Sequence, residues 1–117
     1  MAVRYPAKRG RTTEVRNITA SYTLGLGDVG KTIHLTGSKV APAITIPANS
    51  SVAFPVGTVI RFEQDATNAW NLAITTDTLR WSKDNSTGTR VLGVGASARI
   101  IKTTATTWKV DGSALVT

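Results

Sequence analysis

The chain has 117 residues, no cysteine and a formal net charge of +7. This length allows one domain with a single core and excludes a cofactor domain beside a substrate domain. The absence of cysteine excludes disulfides, thiolate-ligated metals and a cysteine nucleophile. Thr, Val and Ile make up about a third of the chain, and these β-branched residues favour a pleated sheet over a helix. The composition therefore predicts an all-β domain. No apolar stretch approaches the roughly 20 residues of a membrane span, so we expect no membrane partner.

Residues 1–17 are predicted to form a basic, extended N-terminal arm. The first 16 residues carry five cations against one carboxylate, Glu14, and the segment contains Pro6 and Gly10 and lacks the alternation of a strand. A segment of this kind binds an acidic protein surface or nucleic acid, or serves only to keep the chain in solution. The candidate partner-binding residues are the arm's cations with one apolar anchor: Arg4, Tyr5, Lys8, Arg9, Arg11 and Arg16.

Residues 18–117 are predicted to form one β-rich module. Apolar side chains alternate in short runs separated by Gly, Asp, Asn and Ser, with about 8–12 residues from one run to the next. This rhythm suits a small antiparallel β-sandwich or a barrel-like domain. Because small domains of modest apolar content gain burial by association, we expect a trimer. Strands are predicted at residues 18–24, 31–36, 43–46, 58–64, 71–75, 78–81, 90–92, 97–103 and 107–111.

The segment from Gly25 to Thr32 matches the spacing of the phosphate-binding P-loop, G-x-x-x-x-G-K-[ST]. That loop works only where a helix follows it and directs its N-terminal amides at the phosphates. Here the residues after Lys31 alternate as a strand and reach Gly37 within a few positions. We therefore interpret the match as a glycine-rich turn and expect no nucleotide cofactor.

His34 is the only histidine, and it lies in a predicted strand on the face opposite to Ile33 and Leu35. No nucleophile-elbow sequence accompanies it, and a single histidine with scattered carboxylates gives no metal-ligand spacing. The sequence thus predicts neither an enzyme nor a metal site.

The aromatic residues leave alternatives open. Phe54 and Trp108 are candidates for the core or for a contact between subunits. Trp70 and Trp81 fit the same roles, but they could instead stack on sugars or bases, with Asn85 beside them as a glycan contact.

Several short phrases occur in an order that resembles a β-rich module of tailed-bacteriophage virion proteins, found in tail fibres, minor structural proteins and capsid decoration proteins. The more specific part runs from Pro47 through Phe54 and Gly57 to a late Thr-Trp pair and an Asp-Gly pair. The resemblance covers about residues 19–112, through the phrases at 21–24, 28–31, 44–47, 54–60, 98–102 and 107–112.

The resemblance implies a non-enzymatic virion protein, assembled in the host cytoplasm and commonly homotrimeric. Fibre-type members carry a shaft ahead of the module, whereas a basic arm stands there in this sequence. We therefore expect a capsid decoration or cement protein whose arm binds the major capsid protein. The alternative is a tail fibre or tail appendage that contacts tail proteins and the host surface. Nucleic acid is the less favoured partner, because no strand face interleaves basic with aromatic residues.

Overall fold

The computed structural model describes residues 13–116, and the prediction of an all-β domain is confirmed over this range. The only helical segment among these residues is a short 3-10 helix at Leu26–Asp28. The nine strands are β1 (Val15–Ile18), β2 (Tyr22–Thr23), β3 (Thr32–Leu35), β4 (Ala43–Ile46), β5 (Val59–Gln64), β6 (Trp70–Ile74), β7 (Thr78–Trp81), β8 (Arg90–Thr104) and β9 (Thr107–Val116).

The first six strands alternate between two parallel ladders. Strands β1, β3 and β5 pair in one ladder, and β2, β4 and β6 pair in the other. Parallel neighbours need a long crossover connection, which is usually a helix. Here the crossover from each strand to its neighbour contains a strand of the other ladder. The chain therefore winds as a coil, with one strand of each ladder in every turn.

Strand β8 joins the two ladders. Its first residues pair antiparallel with β6 and its later residues pair antiparallel with β5, so a single 15-residue strand crosses from one ladder to the other. Strand β9 pairs antiparallel with β8 and parallel with β7. The result is a nearly closed, barrel-like sheet, as predicted.

The expected antiparallel pairing is wrong for most of the sheet. Among the described residues, five of the eight strand pairs are parallel: β1–β3, β2–β4, β3–β5, β4–β6 and β7–β9. Because the chain alternates between ladders, strands that follow each other in sequence are mostly not neighbours in the sheet.

Most strand boundaries lie within one residue of the predictions; the larger differences are at β1 and β2, at β8 and at β9, which runs to Val116 and not to residue 111. The predicted strand 18–24 is divided into β1 and β2, and residues 15–17, assigned to the arm, lie in β1. The predicted strands 90–92 and 97–103 form one strand, β8. A register shift between Leu92 and Ser97 takes up the extra residues, and Gly95 has a φ of 85° there, so a bulge replaces the expected turn.

The core lies between the two ladders and is closed by β8 and β9. Alternate residues of the strands face it, so that β3 and β4 each show a half-buried, buried, half-buried, buried pattern. The largest fully buried side chains include Trp70, Trp108 and Phe62.

Candidate interaction surface

Arg16 is the only predicted partner-binding residue of the arm that lies within the described residues. Its Nη1 donates a hydrogen bond of 3.0 Å to the Tyr22 hydroxyl and lies 3.4 Å from Asp28 Oδ1. The side chain remains 38% exposed, so part of it is free to meet a partner. The other five, Arg4, Tyr5, Lys8, Arg9 and Arg11, lie outside the described residues.

Asp28 holds this network together from a fully buried position. Its Oδ2 accepts hydrogen bonds from the Tyr22 hydroxyl at 2.8 Å and from the Gly25 amide at 2.9 Å. Burial, followed by the hydrogen bond to Asp28, raises the pKa of Tyr22 above its ordinary value. The hydrogen bond to Tyr22, followed by the charge of Asp28, raises the pKa of Arg16. The network ties β1 to the loop after β2 and so fixes the strand at which the N-terminal segment joins the module.

Strand β1 is an edge of the sheet, since within residues 13–116 it pairs only with β3. An edge strand presents unpaired N–H and C=O groups that can pair with another chain. Two features of β1 limit uncontrolled pairing with another chain: the strand is only four residues long, and it carries the charged residue Arg16.

One face of the β1–β3–β5–β8–β9–β7 sheet points away from the core and is mainly polar; we call it the outer face. One row of residues crosses the outer face from strand to strand: Asn17 in β1, His34 in β3, Glu63 in β5 and Ser97 in β8. Ser97 Oγ donates a 2.6 Å hydrogen bond to Glu63 Oε2, and His34 Nε2 lies 2.7 Å from Asp65 Oδ2. His34 thus points away from the core, as its strand parity predicted, and forms a surface pair with a carboxylate.

Of the two roles left open for Trp70 and Trp81, the burial of both rings favours the core over a glycan contact. Trp70 is 1% exposed and Trp81 is 8% exposed. Lys83 Nζ lies 4.8 Å and the Arg90 guanidinium 5.2 Å from the centre of the Trp81 ring, so cations flank this ring. Asn85 is exposed on the loop after β7, with a φ of 65°, and its role as a glycan contact stays a prediction.

Asp84 and Ser86 give this loop a fixed shape. The Ser86 amide and hydroxyl donate hydrogen bonds of 3.0 and 2.6 Å to Asp84 Oδ1. The hydroxyl bond, followed by the amide bond, lowers the pKa of Asp84 below its ordinary value. Asn85 is therefore presented by an ordered turn.

Phe54 and Trp108 lie in the core and contact each other edge to face, with ring centres 5.4 Å apart and planes at 79°. Beside them, the buried ammonium of Lys102 donates hydrogen bonds to Asn49 Oδ1 at 2.7 Å and to the Phe54 carbonyl at 2.8 Å. It also lies 5.8 Å from the centre of the Trp108 ring. Lys102 therefore connects β8 to the proline-flanked loop between β4 and β5.

We expect Lys102→Ala to lower the free energy of unfolding by about 1–3 kcal/mol, since it leaves the buried Phe54 carbonyl without its donor. Urea denaturation measures the loss. Lys39→Ala, at an exposed position in the loop between β3 and β4, is the control and should change stability by less than about 0.5 kcal/mol. Equal effects of the two substitutions would contradict the role of Lys102 in holding the loop.

The segment that matches the P-loop spacing runs from Gly25 through the 3-10 helix into β3, which begins at Thr32. The strand predicted after Lys31 is thereby confirmed. The Lys31 ammonium donates a 2.6 Å hydrogen bond to the Gly27 carbonyl and lies 3.6 Å from Glu14 Oε1. Lys31 therefore stabilises its own turn.

Residues 13–116 contain no group of three or more His, Asp or Glu side chains placed to hold a metal ion. In the same range, no helix has the length and apolarity needed to cross a membrane. Comparison with protein-family models, with curated proteins and with solved structures gave no match.

Proposed function

We propose that this chain is a non-enzymatic structural protein of a tailed-bacteriophage virion, a decoration protein that binds the outer capsid through its basic arm. The observation that carries the proposal is that a strongly basic N-terminal segment runs directly into an edge strand, β1, of a well-packed β-module. The resemblance of the ordered phrases, from Ser21 to Gly112, to those of virion modules supports the same function.

The geometry suits attachment through one end of a rigid body. The contacts of Arg16 with Tyr22 and Asp28 fix β1 to the module, so force on the arm is transmitted to the core. A protein that binds only the assembled shell stabilises it by mass action. In a homotrimer, three arms act together and gain from their high effective concentration. Many weak arm contacts with the major capsid protein would thus give firm binding.

A tail appendage that binds a host-surface glycan is the second candidate. It is favoured by the exposed, ordered turn that presents Asn85 next to Lys83. Because the tryptophan rings lie in the core, this function would depend on the polar atoms of the turn.

The arm is tested by a matched pair of charge-removing variants, R9Q/R11Q in the arm and K39Q/K83Q in exposed loops of the module. We expect R9Q/R11Q to weaken cosedimentation with capsids made without the protein by about tenfold, or about 0.7 kcal/mol for each cation. K39Q/K83Q should bind within about twofold of the wild type, and raising the salt concentration should weaken the wild type most.

Equal binding by the two variants would contradict attachment through the arm. Binding to purified tails but not to capsids would assign the protein to the appendage class.

A further inference from the structure

Four cations lie together on the outer face, across strands β5, β8, β9 and β7. Arg61 is directly opposite Arg99 in the antiparallel β5–β8 pair, and Lys109 is directly beside Arg80 in the parallel β9–β7 pair. In β9, the residue directly opposite Arg99 is Asp111, and Lys109 lies two residues before it. The Arg61–Arg99 pair and the Lys109–Arg80 pair are therefore diagonal neighbours on the sheet. We call Arg61, Arg80, Arg99 and Lys109 the basic face.

Arg61 and Arg99 repel each other in the isolated molecule, and Asp111, directly opposite Arg99 on β9, offsets part of this repulsion. Like charges directly opposite each other on a sheet repel and destabilise the pairing. Within residues 13–116, none of the four cations has a carboxylate oxygen within 4.0 Å. Two acidic residues line the same groove, and each accepts a hydrogen bond from a serine: Glu63 from Ser97 at 2.6 Å, and Asp111 from Ser82 at 2.9 Å.

A groove of about 160 Å³ opens between the two arginines, and its lining includes Arg61, Arg99, Glu63 and Asp111. A guanidinium presents a planar fork of donors that matches a carboxylate with two parallel hydrogen bonds. Two such forks that line one groove can hold a carboxylate between them, and the bound carboxylate would remove their mutual repulsion.

We propose that the basic face is a docking surface for acidic side chains, Asp or Glu, of a partner protein. A protein fits better than a nucleic acid, because among the described residues the outer face carries no Phe, Tyr or Trp on which bases could stack.

The docking surface is distinct from the arm, so it does not depend on the proposed function. The experiment uses the full chain with Arg4, Lys8, Arg9 and Arg11 changed to Gln, so that the arm cations ahead of β1 do not contribute to binding, and Arg16 is kept in every variant. In this background, R61Q/R99Q is compared with K39Q/K83Q, which removes the same charge elsewhere. Binding to immobilised poly-L-glutamate and to oligothymidine is measured at low and at high salt.

We expect R61Q/R99Q to bind poly-L-glutamate about tenfold more weakly than its parent, and K39Q/K83Q to bind within about twofold. The R61Q/R99Q chain should unfold at about the same temperature as its parent, because the substitution removes the Arg61–Arg99 repulsion together with the Arg99–Asp111 attraction. This readout separates a lost contact from a lost fold. Equal weakening by both variants, or no binding of the parent to poly-L-glutamate, would overturn the proposal. Tighter, arginine-dependent binding to oligothymidine would also overturn it and would reassign the face to nucleic acid.

Discussion

Gly112→Ala is expected to lower the free energy of unfolding by about 2–6 kcal/mol, from overpacking and backbone strain of about 1–3 kcal/mol each. A β-carbon at this position would lie 2.3 Å from the Ser97 carbonyl oxygen and 2.6 Å from the Ala98 α-carbon. Both obstacles are backbone atoms of β8, so no side-chain rotation can relieve the contact. The φ of 151° at Gly112 adds strain for any residue with a side chain. Guanidinium denaturation, followed by circular dichroism, measures the loss.

Gly25→Ala is the matched control for this substitution. No atom lies within 4 Å of a β-carbon built at Gly25, and its φ of −132° is open to alanine. Its stability should therefore stay within about 0.5 kcal/mol of the wild type. If Gly112→Ala were as stable as this control, the close approach of β9 to β8 would be wrong.

The positions of the strands were predictable because one face of each strand is buried and the other meets solvent. The predicted strands 43–46 and 78–81 coincide with β4 and β7, and the prediction at 58–64 differs from β5 by one residue. In each, period-two alternation separates residues such as Ile44 and Ile46 from their polar neighbours. This alternation of apolar and polar residues arises whenever one face of a strand is buried, and it does not depend on which strand is the neighbour.

The partners of the strands could not be predicted for the same reason. Alternation identifies the buried face and contains no information on the neighbouring strand or its direction. The facing of Arg61 and Arg99 follows from the β5–β8 register, which only the fold determines. The groove of the basic face therefore could not be predicted from the sequence. The alternation within β5 and β8 predicted only that each arginine side chain faces solvent.

Other features of the site were visible in strand parity. Trp81 shares the parity of Leu79 in β7, and Lys102 shares that of Ile100 in β8, so each could have been assigned to the buried face. The hydrogen bonds of Lys102 could not be foreseen, because its acceptors lie in the loop between β4 and β5, far away in the sequence.

The second large effect is expected at Trp108, whose removal should lower the free energy of unfolding by about 3–5 kcal/mol. Its ring is fully buried and contacts Phe54, and Lys102 lies beside it. Trp108→Ala therefore leaves a cavity and also takes an aromatic neighbour away from a buried cation. Domains of this size have a total stability of about 5–15 kcal/mol, so a large part of the fold's stability would be lost.

Guanidinium denaturation of Trp108→Ala at two protein concentrations separates the core from a contact between subunits. A loss of stability in the core is intrinsic to the single chain and should be the same at both concentrations, whereas the loss of a subunit contact should depend on concentration. Trp108→Phe should lose less than Trp108→Ala, because it keeps a ring against Phe54. Val116→Ala, at a position that is 51% exposed, should stay within about 0.5 kcal/mol of the wild type. A concentration-dependent loss at Trp108 would instead place this ring at a subunit contact and would make the stability of the module depend on association between copies of the chain.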